Sequence, residues 1–174
     1  MTSTGSKSQQ ITGRALDEMH SYAHGHDRPL GSFLIIMGAY GAVTTGMAAF
    51  VAANRRRLPD KLCWSDLALL AVATHKASRQ LAKDPVTSPL RAPFTRYSGT
   101  SAEAELAEEV RGSGMRKALG ELVSCPFCLG QWVATTGVFG LIVVPRATRA
   151  IASVFAVLAA SDMLQYAYAK LQES

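Results

Sequence analysis

Hydrophobic positions in this chain are gathered into three long runs, separated by segments rich in polar and charged residues. Residues 31–53 contain no charged side chain, and residues 127–144 and 150–169 contain one between them, Asp162. A helix rises ~1.5 Å per residue, so about 20 apolar residues cross the ~30 Å hydrocarbon core of a bilayer. The pattern predicts an all-α fold, a small helical bundle integral to a membrane, which ends in a helical hairpin over residues 126–171.

A fourth segment, residues 65–83, has an apolar first half and a basic second half. His75, Arg79 and Lys83 are spaced four residues apart with Lys76 beside them, so they share one helical face. A charge at mid-bilayer costs ~2.5–3.5 kcal/mol. The segment predicts an amphipathic helix that lies in the membrane interface or spans with its basic end reaching the headgroups. The fold therefore has three to four membrane helices.

The distribution of basic residues favours the interfacial alternative for residues 65–83. That alternative puts Arg55 to Arg57 and the loop that follows this helix, residues 84–124, on one side of the membrane. Cys125 and Cys128 are then in the cytoplasm. Arg146 and Arg149, in the last hairpin, indicate the opposite orientation.

The apolar runs divide the chain into three parts. Residues 1–30 form a polar N-terminal segment and residues 31–53 the first membrane helix. Residues 54–174 form the main domain, in which a long loop, residues 84–124, separates the amphipathic helix from the hairpin. The first membrane helix carries small residues four positions apart, at Gly38, Ala42 and Gly46 and again at Gly41, Thr45, Ala49 and Ala53; the last helix does so at Ala152, Ala156 and Ala160. In lipid, this spacing predicts close packing on a neighbouring helix.

Three segments are predicted within the long loop. Residues 84–96 contain three prolines, which indicates an extended or turned chain rather than a helix. Residues 101–110 are rich in glutamate and predict a short acidic helix. Residues 115–123 predict a further helix that leads into Cys125.

The net charge of +5 changes the picture of partners only slightly. Basic residues lie beside the apolar runs, at Arg55 to Arg57 and at Arg146 and Arg149. This placement is typical of residues that orient a membrane protein or contact anionic lipid. The expected partners are the lipid bilayer and either a second copy or another membrane protein, and not nucleic acid.

The segment Cys125-Pro126-Phe127-Cys128 opens the final hairpin. Proline is favoured at the first position of a helix, which places both sulfurs in the first turn, where the helix dipole favours a thiolate. One hypothesis is a redox pair, with Cys125 attacking and Cys128 resolving, although no strand precedes the segment as it does in thioredoxin-like folds. Another is that both are small apolar side chains packed under Trp132.

Metal binding is a third hypothesis for the two cysteines. Zinc takes four ligands, so Cys125 and Cys128 would need Cys63 and His75, or the same pair from a second subunit. The sequence predicts no cofactor, and zinc is the alternative that these cysteines allow. A separate weak candidate near the N-terminus consists of His20, His24, His26 and Asp27.

Asp162 lies inside the last apolar run. An acid at such a position usually faces a partner, and His75, Lys76 and Arg79 are the available cations. The alternative is that Asp162 lies close enough to the helix end to reach water. Both interpretations make these four residues functional candidates.

Three features together resemble an uncharacterised bacterial family, the domain of unknown function 1360. They are the basic helix at residues 73–79, the turn Asp84-Pro85-Val86-Thr87-Ser88-Pro89-Leu90-Arg91, and the Cys-Pro-x-Cys-x-x-x-Trp pattern that ends at Trp132. The resemblance covers residues 67–171. It implies an integral protein of the bacterial cytoplasmic membrane with a spore-related member, and it adds Asp84, Arg91 and Trp132 to the candidate functional residues. It offers no catalytic residue.

No phosphate-binding Gly-rich loop, nucleophile elbow or paired-carboxylate site is visible in the sequence. We therefore expect a non-enzymatic membrane protein with a structural or partner-recruiting role, related to the spore or the envelope. The alternatives are thiol redox chemistry and metal binding, both through Cys125 and Cys128.

Overall fold

The computed structural model describes residues 13–14, 17–18, 21–24, 26–54, 61–102 and 104–172. The predicted helical architecture with a C-terminal hairpin is confirmed, and a two-stranded sheet is added to it. In chain order the elements are α1 (Leu30–Ala53), α2 (Trp64–Lys83), a 3-10 turn (Pro85–Thr87), α3 (Ser88–Arg91), β1 (Thr95–Ala102), β2 (Glu105–Val110), α4 (Gly114–Ser124), α5 (Pro126–Val143) and α6 (Pro145–Gln172).

Helix α2 runs antiparallel to α5 over most of its length. Gly137 lies so close to Leu70 that a Cβ at position 137 would come within 2.9 Å of Leu70 Cδ2, and Gly130 lies opposite Thr74 and Ser78. The absence of a Cβ at Gly137 makes room for the Leu70 side chain and so sets the close approach of the helices, whereas a Cβ at Gly130 would make only ordinary contacts at 3.9 Å. The side chain of Leu70 fills the space at the deeper of the two contacts.

Helix α2 runs parallel to α6 on its other side. The alignment is shown by two contacts, one at each half of α2: Asp66 meets Arg149 and Lys76 meets Asp162. Between these contacts lies the apolar core of the bundle. Its buried members are Leu70, Ala73, Leu141 and Ala152, with Leu69, Val138 and Phe155 packed against them. The predicted packing face of α6 is confirmed at Ala152, which is buried, but not at Ala160, which is exposed; Ala156 is half-buried.

Helix α1 lies against α5 through aromatic side chains and not through its glycines. The rings of Tyr40 and Trp132 are 5.1 Å apart at 80°, and those of Phe50 and Phe139 are 6.0 Å apart at 65°. Such edge-to-face pairs add about 0.5–1.5 kcal/mol beyond burial. The prediction that the small-residue faces of α1 pack on a neighbour is wrong within this chain, since a Cβ would meet open space at Gly38, Gly41 and Gly46.

The predicted acidic helix over residues 101–110 is wrong. The chain there forms an antiparallel hairpin in which Thr95 pairs with Val110 and Ala102 with Glu105. Ala104 turns the chain with φ 59°. An isolated helix of ten residues is marginal even with favourable propensities, whereas β1 offers a partner strand rich in Thr, Tyr and Ser. Pairing with a neighbouring strand therefore outweighs local helix propensity.

The prediction that residues 84–96 are extended or turned is confirmed for the 3-10 turn Pro85–Thr87 and for the start of β1 at Thr95, and it is wrong for Ser88–Arg91, which form α3. Pro85 begins a 3-10 turn and Pro89 lies in the first turn of α3. Proline is tolerated at these positions because the N–H it lacks would have no intrahelical partner. Cys63 is the N-cap residue of α2 and provides no side-chain cap. The predicted helix over residues 115–123 is confirmed as α4.

In the part of the chain that the structure describes, three helices are long and apolar enough to cross a membrane: α1, α5 and α6. Only 6% of the apolar stretch of each is buried inside the structure. Their outward surfaces therefore consist largely of exposed Leu, Ile, Val, Met and Phe, among them Ile35, Val154 and Val157. Monomeric soluble proteins rarely expose contiguous apolar surface on this scale.

Candidate functional site

A cavity of about 410 Å³ lies between the basic half of α2, the turn of the β-hairpin and α6. We call it the pocket. Its walls combine charged groups with the apolar side chains of Ala104, Ala159 and Met163. The charged and titratable residues that line it are His75, Lys76, Arg79, Lys83, Asp84, Glu105, Asp162 and Tyr166. Five of the functional candidates from the sequence are therefore brought together: His75, Lys76, Arg79, Asp84 and Asp162.

Lys76 and Asp162 form an ion pair across the pocket. Lys76 Nζ donates to Asp162 Oδ2 at 2.6 Å, so the contact expected for Asp162 is present. The Asp162 side chain is nevertheless 43% exposed and that of Lys76 is 21% exposed. The acid thus has a partner and also reaches solvent.

A second ion pair in the pocket wall joins Arg79 to Glu105. Arg79 Nε donates to Glu105 Oε1 at 3.0 Å, and its Nη2 contacts the same oxygen. Glu105 was missed by sequence reasoning, because its segment was assigned to a helix. The glutamate-rich stretch showed that the segment is charged. Which of its glutamates faces the pocket could not be known without the pairing of the two strands.

The remaining polar groups of the pocket differ in whether they have partners. His75 and Lys83 make no side-chain hydrogen bond or ion pair with the described residues, whereas Asp84 Oδ1 accepts from the Val86 backbone N–H at 2.8 Å. Gln80 Oε1 is buried and has no hydrogen-bond donor among the described residues. Three permanent cations, Lys76, Arg79 and Lys83, face three carboxylates, Asp84, Glu105 and Asp162. The pocket is therefore balanced in charge when His75 is neutral.

Arg91 is buried outside the pocket. It is 1% exposed and forms an ion pair with Glu108, itself only 6% exposed at the side chain. Its other donors reach the Leu81 and Asp84 carbonyl oxygens and the Thr87 hydroxyl, at 2.8, 3.1 and 2.6 Å. Because all of its N–H donors are hydrogen-bonded, Arg91 holds the 84–91 segment against β2. Its role is therefore structural.

The cysteines lie at the junction of α4 and α5. Cys125 is the N-cap residue of α5, and its Sγ accepts from the Cys128 backbone N–H at 3.3 Å. The two Sγ atoms are 2.7 Å apart and both thiols are free. A disulfide bond is ~2.05 Å long, so its formation needs only a small approach of the sulfurs. Trp132, one turn further on, contacts Tyr40 and ties α5 to α1.

The predicted metal ligands are not brought together within one chain. Cys63 precedes α2 and Cys125 precedes α5, and these helices are antiparallel, so the two thiols lie at opposite ends of the bundle. Among the residues that the structure describes, no three or more His, Cys, Asp or Glu are grouped closely enough to hold a metal. His20 lies outside the described residues. A zinc site shared between subunits stays a prediction.

A further ion pair, at the end of α2 far from the pocket, was also missed. Arg149 donates to both carboxylate oxygens of Asp66, at 2.8 and 2.7 Å. Such a bidentate pair fixes orientation as well as distance. An acid in the first turn of an otherwise apolar helix was the available signal.

These features define a mainly helical protein with three membrane-length helices and a charged pocket beside a small sheet. The chain belongs to the family described as "Protein of unknown function (DUF1360)", whose family model matches residues 69–168. It is similar to the sporulation protein YjcA of Bacillus subtilis (strain 168), with 28% identity over 111 residues, which is 62% of this chain and 94% of that protein. No solved structure matches the chain.

Proposed function

We propose that this protein is an integral protein of the bacterial cytoplasmic membrane, with a structural or partner-recruiting role and no catalytic one. The observation that carries the proposal is the apolar outer surface of α1, α5 and α6, of which only 6% of each apolar stretch is buried. Burial of this surface in lipid would contribute about 25 cal/mol per Å². A water-soluble bundle would leave the same surface exposed.

We further propose that α2 spans the membrane as a fourth helix, in place of the interfacial position that the basic residues favoured. The support is its alignment along both helices of the hairpin, since an interfacial helix would cross them. Lys76 pairs with Asp162 and Arg79 with Glu105. Pairing lowers the cost of holding such charges near lipid, and Lys83 lies at the helix end, where it can reach headgroups.

This arrangement has consequences for sidedness. The end of α1, the start of α2 and the junction of α5 with α6 lie at one end of the bundle, and the described residues of the cap, which we define as residues 84–124, lie at the other. In the sequence, the two connections 54–63 and 144–149 carry six basic residues in 16 positions, whereas the cap carries five in 41. Because short basic connections are retained in the cytoplasm, we propose that the cap and the Cys125 and Cys128 thiols face outward.

The native cysteines provide the test. Spheroplasts expressing Cys63→Ser, which keeps Cys125 and Cys128, should be labelled by a membrane-impermeant maleimide. Spheroplasts expressing the matched Cys125→Ser/Cys128→Ser variant, which keeps Cys63, should be labelled only after permeabilisation. Labelling of both variants from one side would contradict a spanning α2. Recovery of the protein in a detergent-free high-speed supernatant would contradict membrane insertion altogether.

The relative is a sporulation protein, and on that similarity we propose a role in spore or envelope membranes. A fluorescent fusion expressed in a sporulating Bacillus host should concentrate in the membranes around the developing spore. A control fusion of α1 alone, residues 26–54, separates recruitment by the rest of the chain from simple membrane insertion. Uniform membrane fluorescence of the full-length fusion throughout sporulation would contradict the role.

Thiol redox chemistry is the second candidate function. It is favoured by one observation, the 2.7 Å separation of the Cys125 and Cys128 sulfurs on the outward side proposed above. Oxidation would release two electrons and two protons to a partner disulfide, which would become two thiols. Thiol titration with and without a chelator tests it: rapid labelling at mildly acidic pH supports redox chemistry, and protection that a chelator releases supports metal binding. Slow labelling in both cases contradicts both.

A further inference from the structure

The pocket has the features of a binding site that the proposed function does not use. Its volume of about 410 Å³ lies in the range of small-ligand sites, about 300–1,000 Å³. Its walls hold two ion pairs, in each of which the charges neutralise one another. They also hold unpaired hydrogen-bond donors and an unpaired acceptor. With respect to the described residues, Lys83 and His75 are donors without acceptors, and Gln80 Oε1 is a buried acceptor without a donor.

The charge balance decides which class of ligand fits. A simple anion would meet Lys83 but would also face Asp84, Glu105 and Asp162. A simple cation would be repelled by Lys76, Arg79 and Lys83. A ligand that carries a phosphate and an ammonium close together satisfies both sets, because each charge meets the complementary group. Asp162 has a second carboxylate oxygen, Oδ1, that Lys76 does not use.

The position of the pocket points to the source of that ligand. Tyr166 lines the pocket, and Tyr168 lies two residues further along α6; their side chains are exposed beside exposed Met163 and Leu164. Exposed tyrosines next to apolar helix surface are typical of the headgroup level of a membrane. Resting on the proposed membrane location, the pocket would then open where lipid headgroups lie.

We propose that the pocket binds a phosphate–ammonium zwitterion, supplied by the headgroup of phosphatidylethanolamine. Lys83 and His75 donate to the phosphate, and Gln80 Oε1 and Asp162 accept from the ammonium. The apolar side chains of Ala159 and Met163 border the path of the lipid backbone. The same chemistry exists in a soluble phosphoethanolamine, so the test distinguishes the two sources.

The experiment measures thermal unfolding of the full-length protein, purified in a non-ionic detergent, against rising concentrations of three probes. These are short-chain phosphatidylethanolamine, short-chain phosphatidylglycerol and O-phosphoethanolamine. We expect phosphatidylethanolamine to raise the melting temperature with an affinity about tenfold higher than phosphatidylglycerol, which lacks the ammonium. Stabilisation by O-phosphoethanolamine alone would assign the site to a soluble zwitterion.

Variants link the binding to the pocket. Lys83→Gln should lower the affinity for phosphatidylethanolamine about tenfold, the effect of losing one charge-assisted hydrogen bond. Lys170→Gln is the matched control, because Lys170 is an exposed lysine of α6 that does not line the pocket. If Lys83→Gln does not fold, His75→Gln provides the same comparison, with a smaller loss of about threefold.

Three results would overturn the proposal. They are no stabilisation by either zwitterion, equal affinity for the zwitterionic and the anionic lipid, and equal losses in the Lys83→Gln and Lys170→Gln proteins. Each of them leaves the membrane proposal standing, because that is judged by fractionation and cysteine labelling. Failure of membrane insertion would conversely leave the O-phosphoethanolamine measurement valid.

Discussion

Two ion pairs in this protein are similar in length but differ in environment. Arg91–Glu108 joins the start of the cap to β2 at 2.8 Å, with side chains 1% and 6% exposed. Lys76–Asp162 joins α2 to α6 at 2.6 Å, with side chains 21% and 43% exposed. The distances are similar, so burial is what separates the pairs.

The difference teaches how to sort charged residues that look equally prominent in a sequence. Arg91 donates to Glu108, two backbone carbonyls and the Thr87 hydroxyl, so no N–H donor remains for a ligand. Lys76 has one partner beside an open cavity. A charge that is buried and fully hydrogen-bonded holds the fold, whereas a half-exposed pair beside unpaired groups is available for binding.

The largest effect is expected from breaking the buried pair. Arg91→Met leaves the Glu108 carboxylate buried without a cation, which typically costs about 3–5 kcal/mol. We expect the cap to loosen before the bundle, so limited trypsin digestion in detergent should cut within residues 84–124 of the variant. Chemical unfolding of the same sample measures the loss of stability.

Arg96→Met is the matched control, because Arg96 is exposed on the same hairpin. It should change stability by less than about 0.5 kcal/mol. The double variant Arg91→Met/Glu108→Leu should recover much of the loss, since apolar replacement removes the unpaired charge. A loss below about 1 kcal/mol in Arg91→Met would remove the distinction drawn between the two pairs.

A smaller effect is expected inside the cap, where α4 packs against Phe94 and Val110. A Cβ at Gly120 would come within 2.5 Å of Val110 Cγ1 and 2.9 Å of the Phe94 carbonyl oxygen. Gly120→Ala should therefore cost about 1–3 kcal/mol, less the gain of up to about 1 kcal/mol in helix propensity. Gly130→Ala, where the nearest atoms are 3.9 Å away, should be neutral or stabilising in the same unfolding measurement. Equal stability of the two variants would show that the cap does not depend on this contact.

Breaking the half-exposed pair should cost less again. Lys76→Met and Asp162→Asn should each lower stability by about 0.5–1 kcal/mol, because solvent screens the charges. A double-mutant cycle isolates the coupling between them. A coupling above about 3 kcal/mol would mean that this pair is as structural as Arg91–Glu108, and the pocket would then be a less suitable binding site.

The smallest effect concerns reactivity and not stability. At the other end of α2 the Ser65 hydroxyl lies 3.0 Å from Cys63 Sγ, and this hydrogen bond lowers the pKa of the exposed Cys63 thiol. A lower pKa means more thiolate at neutral pH. In the Cys125→Ser/Cys128→Ser background, Ser65→Ala should slow maleimide labelling at pH 7 by about twofold, with the difference disappearing at high pH. An unchanged pH profile would contradict the role of Ser65.

Most of the bundle followed from the sequence. Residues 31–53, 127–144 and 150–169 are long and almost free of charge, and a helix is the structure that satisfies its own backbone hydrogen bonds within one segment. The cap was predicted poorly. The segment 101–110 has helix-forming residues, but its conformation depends on pairing with β1, which is contact between strands and not a local property.

The candidate site divides in the same way. The basic face of residues 75–83 could be predicted from helical spacing, and a partner for Asp162 from the cost of an isolated charge in an apolar run. Neither the helical spacing nor the free-energy cost of an isolated charge indicates that Glu105 would complete the pocket. The family resemblance made Arg91 a functional candidate together with these residues. Only its burial shows that its role is structural.

By itself, the sequence determined that the chain forms long apolar helices, because hydropathy and helical period are properties of consecutive residues. It also determined the chemistry that is available, in the basic face of α2, the acid of α6 and the two cysteines at the start of α5. Tertiary structure alone decided which charged side chains are buried in ion pairs and which remain accessible to a ligand. Burial and pairing join residues far apart in the chain, such as Asp66 with Arg149 and Lys76 with Asp162, and no local pattern encodes such a distance.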